Sequence, residues 1–443
     1  MKYKDKGASI IGWVHAIRRM GRITFAEIRD GSGTVQVLIL PGHGGNLDEK
    51  VKEIKPGYTV SLSGLVQDKK KSTKSSGGKI EGVEINVQSL AILSTAKELP
   101  FDVDSEVKLD TLLDFQPFTL RSQRSRAIFD VQTEIVYAFR EFLRSQGFHE
   151  FEAPNLTATA TEGGANVFAV EYFGRKAYLG QSPQFYKQIM VGVYEKVFTV
   201  TKAFRAEKHA TSRHINEYTS LDLEMGFIKD HTTVMALQNK MLYFMAEHLR
   251  KTVAPQFTLL GATLPKVPEP TSTKPVAIPS LKLREAQQII KKEFGEDCTQ
   301  EPDLEPQHEK WLCEYATKHL GSEFIYITHY PTKKRPMYTF PDPQDPEYTN
   351  GFDLLFRGLE VTTGGQRIND YDALIANIKK WNCDPEDFRF YLQAFQYGMP
   401  PEGGLAMGLE RFTQQFLGLA NVKEATLFPR DQVRIDVPLS SLK

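Results

Sequence analysis

Arg205 and Glu207 stand two apart in Phe204-Arg205-Ala206-Glu207, and past a loop the chain continues Arg213-His214-Ile215-Asn216-Glu217-Tyr218 and Leu221-Asp222-Leu223-Glu224-Met225. At a strand end, Arg205 can pin a phosphate with its rigid donor fork, and Glu207 can accept from an adenine amino group if the base lies over Tyr218. A salt-bridged surface hairpin would use the same residues, so this segment alone leaves both readings open. A second segment, Gly403-Gly404-Leu405-Ala406-Met407-Gly408-Leu409-Glu410-Arg411-Phe412, runs from a glycine-rich strand into an apolar helix. Its glycines admit close approach of a ligand or backbone, and Arg411 opens the helix where its charge can reach a triphosphate. Tight packing of strand on helix accounts for the pattern equally well. A third, Gly147-Phe148-His149-Glu150-Phe151-Glu152-Ala153-Pro154, reads only as a helix end, a turn and a strand stopped by proline.

These segments need elements to position them. From Ala8 to Leu93 the chain alternates short β-type runs with turns, and five strands at this spacing predict a small closed barrel. Gly31-Ser32-Gly33 predicts a hairpin turn, and the Lys/Ser/Gly stretch from Asp68 to Lys79 a solvated loop. A barrel of this size with a basic surface fits an OB-fold, a reader of single-stranded nucleic acid; a purely structural β-module fits it too. Residues 95–120 lose the two-residue alternation and read as a hinge. Apolar positions Ile128, Val131, Ile135, Ala138, Phe139, Phe142 and Leu143 recur at helical spacing, predicting one amphipathic helix over 122–146 with Gly147 past its end. Strand-like runs follow around 176–179, 197–201, 218–227, 352–360 and 404–407, interleaved with helices at 184–194, 231–251, 282–294, 307–319 and 408–417. The Pro/Thr/Lys-rich stretch 253–282 reads as an insertion or mobile connection.

Composition bounds the function. The 443 residues are 41% hydrophobic, 25% charged and 11% aromatic, values of ordinary globular chains, and two or three units are expected. Zero formal net charge argues against holding nucleic acid by bulk electrostatics. The first hundred residues nevertheless carry sixteen Lys/Arg against ten Asp/Glu, a basic front module. Cys298, Cys313 and Cys383 lie far apart and predict free thiols without a disulfide frame or zinc site. The start MKYKDKG lacks an apolar signal core and no run approaches the ~20 apolar residues of a membrane span, so the cytoplasm is the expected compartment.

Together and in this order, the three segments resemble the signature motifs of class II aminoacyl-tRNA synthetases: helix, strand and proline at 147–154; an FRxE motif with Tyr218 in the aromatic place; and a GxGxxxER-like motif ending in Leu409-Glu410-Arg411. The resemblance runs over essentially the whole chain, and an OB-fold in front of the catalytic domain marks subgroup IIb, the aspartate, asparagine and lysine enzymes. Thr161-Glu162-Gly163-Gly164 resembles a mobile loop closing over the amino acid. Gln181-Ser182-Pro183-Gln184-Phe185-Tyr186-Lys187-Gln188 resembles the QSPQxxKQ of aspartyl enzymes, where asparaginyl relatives usually carry an SGQL-like segment. Phe352-Asp353 and Glu360-Val361-Thr362-Thr363-Gly364-Gly365-Gln366-Arg367 match the FD…ExxSGxQR pattern of both. The archaeal/eukaryotic-type aspartyl branch is the one most closely resembled.

That resemblance implies an α+β architecture: an OB-fold anticodon-binding barrel over 1–100, a hinge at 101–121, and a class II catalytic domain over 122–443 on an antiparallel sheet flanked by helices. It implies ATP as substrate, held by Arg205, Glu207, Arg213, His214, Tyr218, Glu360, Gly408 and Arg411, with Arg205 and Arg411 on its phosphates. Mg²⁺ falls to Asp353, Glu360 and Thr363, hard oxygen ligands for a hard cation. L-aspartate falls to Glu162, Gln184, Lys187, Asp222, Thr363 and Arg367, the cations Arg367 and Lys187 meeting its β-carboxylate. tRNA-Asp is the implied partner, with Phe25 stacking on the middle anticodon base beside Arg18 and Gln36; a barrel-core Phe25 is the alternative.

Two positions depart from the pattern. Glu402 stands where relatives usually carry histidine, and a carboxylate there would repel aspartate unless paired or turned away. His15 occupies a place where archaeal-type relatives carry Trp or His, and His is associated with relaxed reading of the last anticodon base, so tRNA-Asn is a second expected acceptor. The competing readings are an asparaginyl-tRNA synthetase, a tRNA-independent asparagine-forming paralogue, and a synthetase-like RNA-binding protein without activity. The resemblance also implies a homodimer through residues 125–154.

Overall fold

The computed structural model describes residues 5–42, 47–68, 82–159, 166–208 and 211–441. The chain divides into two compact units, Met1–Glu106 and Val107–Lys443. In the first, β1 (Gly7–Met20), β2 (Ile23–Arg29), β3 (Thr34–Ile39), β4 (Thr59–Asp68) and β5 (Val83–Ser94) close a barrel in the order β1-β2-β3-β5-β4. Period-two alternation sends Ala26 and Ile28, Val37, Ile39, Val60, Leu62, Ile85 and Val87 inward to one core. At the expected hairpin, the Asp30 carboxylate accepts from the backbone N–H groups of Ser32 (2.7 Å) and Gly33 (3.0 Å). The expected solvated loop lies outside the described residues except for Asp68, which ends β4.

The second unit is built on an eight-stranded sheet. Its strands are β6 (His149–Glu150), β7 (Lys196–Phe204), β8 (Glu217–Gly226), β9 (Ser280–Lys282), β10 (Phe324–Thr328), β11 (Gly351–Phe356), β12 (Leu359–Gln366) and β13 (Glu402–Gly408). They lie in the order β9-β10-β11-β12-β13-β8-β7-β6. The inner pairings are antiparallel, but β6 with β7 and β9 with β10 are parallel. The sheet is therefore mixed, correcting the antiparallel expectation: each outer pair is joined by a helical crossover, which returns the chain in the same direction. The run expected as one strand over 352–360 is a hairpin, turned by Arg357 and Gly358 with φ of +47° and +87°, where glycine carries no steric cost.

Helices cover the sheet. Helix α1 (Gln123–Ser145) starts where the Ser122 side chain accepts from Ser125 N–H, and ends where Phe148 N–H donates to the Leu143 carbonyl across Gly147 at φ +81°. Its predicted apolar face packs with helix α2 (His231–Thr252) and helix α3 (Leu409–Leu417) in the main core. Residues 253–282 are not a mobile connection: Phe257, Val267 and Ile278 are buried in that core, and the Asn239 amide bonds the backbone of Pro268, Ala277 and Ile278. The latter part of 101–121 carries helices at Leu109–Asp114 and Gln116–Thr119, and the Gln116 amide bonds the backbone of Thr426 and Phe428. The three cysteines are free thiols. Among the described residues no helix is long and apolar enough to cross a membrane.

Candidate active site

The hairpin β7–β8 pairs Ala203 with Tyr218 and Phe204 with Glu217, so the loop 205–216 leaves from its open end. Asn216 ties the loop's two ends, its amide donating to the carbonyls of Arg205 (2.7 Å) and Glu207 (3.2 Å). The Arg205 guanidinium lies 5.9 Å from the centre of the Tyr218 ring. Arg411, in the first turn of α3, donates from Nε to the Arg213 carbonyl at 3.0 Å. One cleft with about 700 Å³ of empty space is lined by Arg205, Glu207, Arg213 and Tyr218, by Glu360 and Thr363 of β12, and by Gly408 and Arg411. Of the residues expected at the nucleotide only His214 is not on that lining. Its Nδ1 is 2.6 Å from the Thr211 hydroxyl, and its Nε2 is 3.6 Å from Glu207.

Arg213 is held by a residue sequence reasoning missed. Its Nη2 lies 2.9 and 2.8 Å from the carboxylate oxygens of Glu309, which also accepts from the Glu360 backbone N–H at 2.8 Å. Glu309 sits on a separate helix, Pro306–His319, and no local spacing marks it.

Asp353 and Thr363 are cross-strand partners, and the Thr363 hydroxyl donates to Asp353 at 2.6 Å. Arg335, also missed, donates to Asp353 at 2.5 Å and to Thr363 at 2.9 Å, its guanidinium 3.8 Å from the Tyr330 ring centre. Burial, and secondly repulsion from Asp353, push the Glu360 carboxyl up to about 7, with Arg411 opposing. Asp353 and Glu360 repel each other at close quarters, which a divalent cation between hard oxygen donors would relieve, so the donor set can hold Mg²⁺. Among the described residues no three His, Cys, Asp or Glu side chains cluster as metal ligands. Asp353, Glu360 and Thr363 would hold the ion with the balance of ligands from phosphate and water.

Beneath this cleft lies a buried ionic cluster. The Lys187 ammonium, on the helix Gln184–Tyr194, is 2.9 Å from Asp222, 3.2 Å from Glu224 and 3.1 Å from the Leu405 carbonyl. Arg367 donates from Nε to Glu224 at 2.7 Å and from Nη2 to the Gly404 carbonyl at 3.1 Å. Glu224 raises the Arg367 pKa against the opposing effect of burial. Ser220, on the cleft wall, donates to Asp222, which joins the two regions. Gln184 donates to Gln188 at 2.9 Å, and Gln188 donates to Glu402 at 2.8 Å. Burial first, then repulsion from Glu224, push the Glu402 carboxyl well above the usual range. It is paired with Gln188, and its surroundings disfavour the charged form that would repel aspartate. Glu162 lies outside the described residues.

On the barrel, Arg18 stands over Phe25 at 5.4 Å, and Phe25 is half-buried outside the core that takes its neighbours Ala26 and Ile28. Gln36 lies opposite Glu27 on the face that carries Phe25 and donates to Glu84 at 2.7 Å, and the His15 ring meets Asp104 at 2.7 Å. The Asp104 hydrogen bond raises the His15 pKa above 6.5, against burial.

A hairpin loop, a glycine strand opening a helix, and a mixed sheet that follows an OB barrel in the chain define a class of ATP-using ligases. The family described as tRNA synthetases class II (D, K and N) matches residues 108–432, and the OB-fold nucleic acid binding domain matches residues 8–93. This chain belongs to that synthetase family and is an enzyme of the aminoacyl-tRNA ligase type. It is 42% identical to the aspartate--tRNA(Asp/Asn) ligase of Deinococcus radiodurans, over 98% of this chain and 96% of that protein. It is 43% identical to the ligase of the same name from Thermus thermophilus, over 96% of each. In structure it is similar to asparaginyl-tRNA synthetase from Pyrococcus horikoshii complexed with asparaginyl-adenylate, with a TM-score of 0.90, 28% identity, and coverage of 99% and 97% of the two chains.

Proposed function

We propose that this chain is an aspartate–tRNA ligase that activates L-aspartate with ATP and Mg²⁺ and esterifies the 3′ end of tRNA-Asp and of tRNA-Asn. The observation that carries the reading is the buried pair of cations, Lys187 and Arg367, the first tied through Asp222 to Ser220 on the wall of the cleft lined by Arg205 and Arg411. A carboxylate side chain needs such cations; an amide does not. Asp222 and Glu224 keep those cations affordable in a dry site by pairing with them.

No side chain acts as nucleophile. The α-carboxylate of aspartate attacks the α-phosphorus, pyrophosphate leaves, and a terminal ribose hydroxyl of the tRNA then attacks the adenylate carbonyl, releasing AMP. Arg205 and Arg411 neutralise charge on the phosphates, Tyr218 and Glu207 hold the adenine, and Gln184 and Asp222 meet the polar ends of the amino acid. Mg²⁺, when bound, supplies charge neutralisation at the phosphate oxygens. Phe25 and Arg18 offer a stacking platform to an unpaired anticodon base.

Names of the relatives at 42–43% identity support aspartate over asparagine, as does the Lys187-bearing segment. Amino-acid-dependent pyrophosphate exchange with aspartate, asparagine and lysine tests this: exchange with asparagine in place of aspartate overturns it. Comparing aspartate transfer to tRNA-Asp and tRNA-Asn transcripts tests the second acceptor, which undetectable charging of tRNA-Asn would remove.

A further inference from the structure

Glu402 has no part in the mechanism above, yet it is fully buried among Gln188, Glu224, Arg367 and Lys187. Its Oε1 accepts from Gln188 Nε2, while its Oε2 is buried and has no hydrogen-bond partner among the described residues. Gln188 cannot turn its amide over freely. Its Oε1 already accepts from Gln184 Nε2 at 2.9 Å and from the Tyr391 hydroxyl at 3.0 Å, which uses both lone pairs. Its N–H group therefore faces Glu402. The chain of bonds continues outward: the Gln184 amide directs its NH₂ to Gln188, which leaves its carbonyl oxygen turned away from that contact.

The charged neighbours bear on Glu402's form. Glu224, Arg367 and Lys187 act on it, and it in turn acts on the Tyr391 hydroxyl. Both cations pair with Asp222 and Glu224, so an ionised Glu402 would compete for them with the β-carboxylate that the proposed function brings to the same two cations. A neutral acid avoids that and still accepts from Gln188.

We propose that Glu402 is a positioning residue: through Gln188 it orients the Gln184 amide so that its carbonyl oxygen is offered to the ammonium group of the amino acid. This rests on Gln184 meeting the amino acid, as proposed above.

The test compares Glu402→Gln, Glu402→Leu and Tyr391→Phe in pyrophosphate exchange, using whichever of aspartate, asparagine or lysine the wild-type enzyme activates. Thermal-shift affinities for the same three serve if exchange is silent. Wild type alone reads the substrate, so failure of the functional reading is separate from failure here. Glu402→Gln keeps the amino-acid KM within about threefold, with an unaltered profile from pH 6.5 to 8.5. Glu402→Leu leaves Gln188 unpaired and raises that KM about tenfold or more, with the ATP KM changed less than about twofold. Should the leucine variant not fold, Tyr391→Phe, which removes one donor without a cavity, raises the amino-acid KM severalfold on its own. The proposal is overturned if Glu402→Gln is as damaging as leucine, or if the variants leave the amino-acid KM unchanged or shift both KM values alike.

Discussion

Arg205 and Arg411 reach one cleft from opposite sides, the first from a hairpin and the second from a helix start. If they neutralise phosphate charge in the transition state, either Arg→Ala change lowers kcat/KM for exchange by about a hundredfold or more, with the fold intact by circular dichroism. Loss below about fivefold would remove the role. Glu410, beside Arg411, has a different task. Both its oxygens accept from the Thr219 N–H at 3.0 Å, and burial pushes its carboxyl up to about 7 from 4.5. A carboxyl whose folded pKa is raised costs nothing below about pH 4.5, and its cost grows until about pH 7. Glu410→Gln should therefore be more stable than wild type at pH 8, by on the order of 1–3 kcal/mol, and gain little at pH 4.5. Melting curves at the two pH values check this; equal differences at both would contradict it.

At the level of elements, strand β13 joins the two halves of the site because its glycines let β8 and β12 approach. A Cβ on Gly404 would stand 2.2 Å from the Leu223 carbonyl oxygen and 2.2 Å from the Glu224 carboxylate. The backbone cannot yield and Glu224 is the partner of Arg367 and Lys187. Gly404→Ala is expected to cost about 3 kcal/mol or more and to raise the amino-acid KM in whatever protein folds. A variant with wild-type melting temperature and KM would refute the close-approach argument. The same strand alternation explains why Phe25 is available on the barrel: Ala26 and Ile28 take the inner face, and the odd positions stay outside.

For the molecule as a whole, the second unit leaves apolar surface at one sheet edge. His149 of the two-residue edge strand β6 stacks on Tyr194 at 3.9 Å, and Val193, Tyr194 and Phe227 are exposed nearby, linked by the Gly226 N–H to Glu195 carbonyl bond. Tyr137 of α1 is exposed as well. Exposed apolar side chains beside an open strand edge are the kind of surface a second copy covers. We expect a homodimer through 125–154, seen as twice the chain mass in sedimentation at micromolar concentration, and a monomer would contradict it.

Much of this was readable along the chain because it depends on local rules. The helix at Gln184–Tyr194 and the long helix at Gln123–Ser145 follow from apolar spacing and end signals, and the cleft-lining residues cluster in short segments. Strand β10, Phe324–Thr328, went unread because a wholly buried apolar run has neither period, and the Arg357-Gly358 turn was masked by apolar residues on both sides. Tertiary structure alone decided what the chemistry-bearing groups meet: Arg335 at Asp353, Glu309 at Arg213, Glu402 at Gln188. The sequence names a carboxyl group, but whether it carries charge depends on the neighbours and the exclusion of water, and those come from segments far apart in the chain.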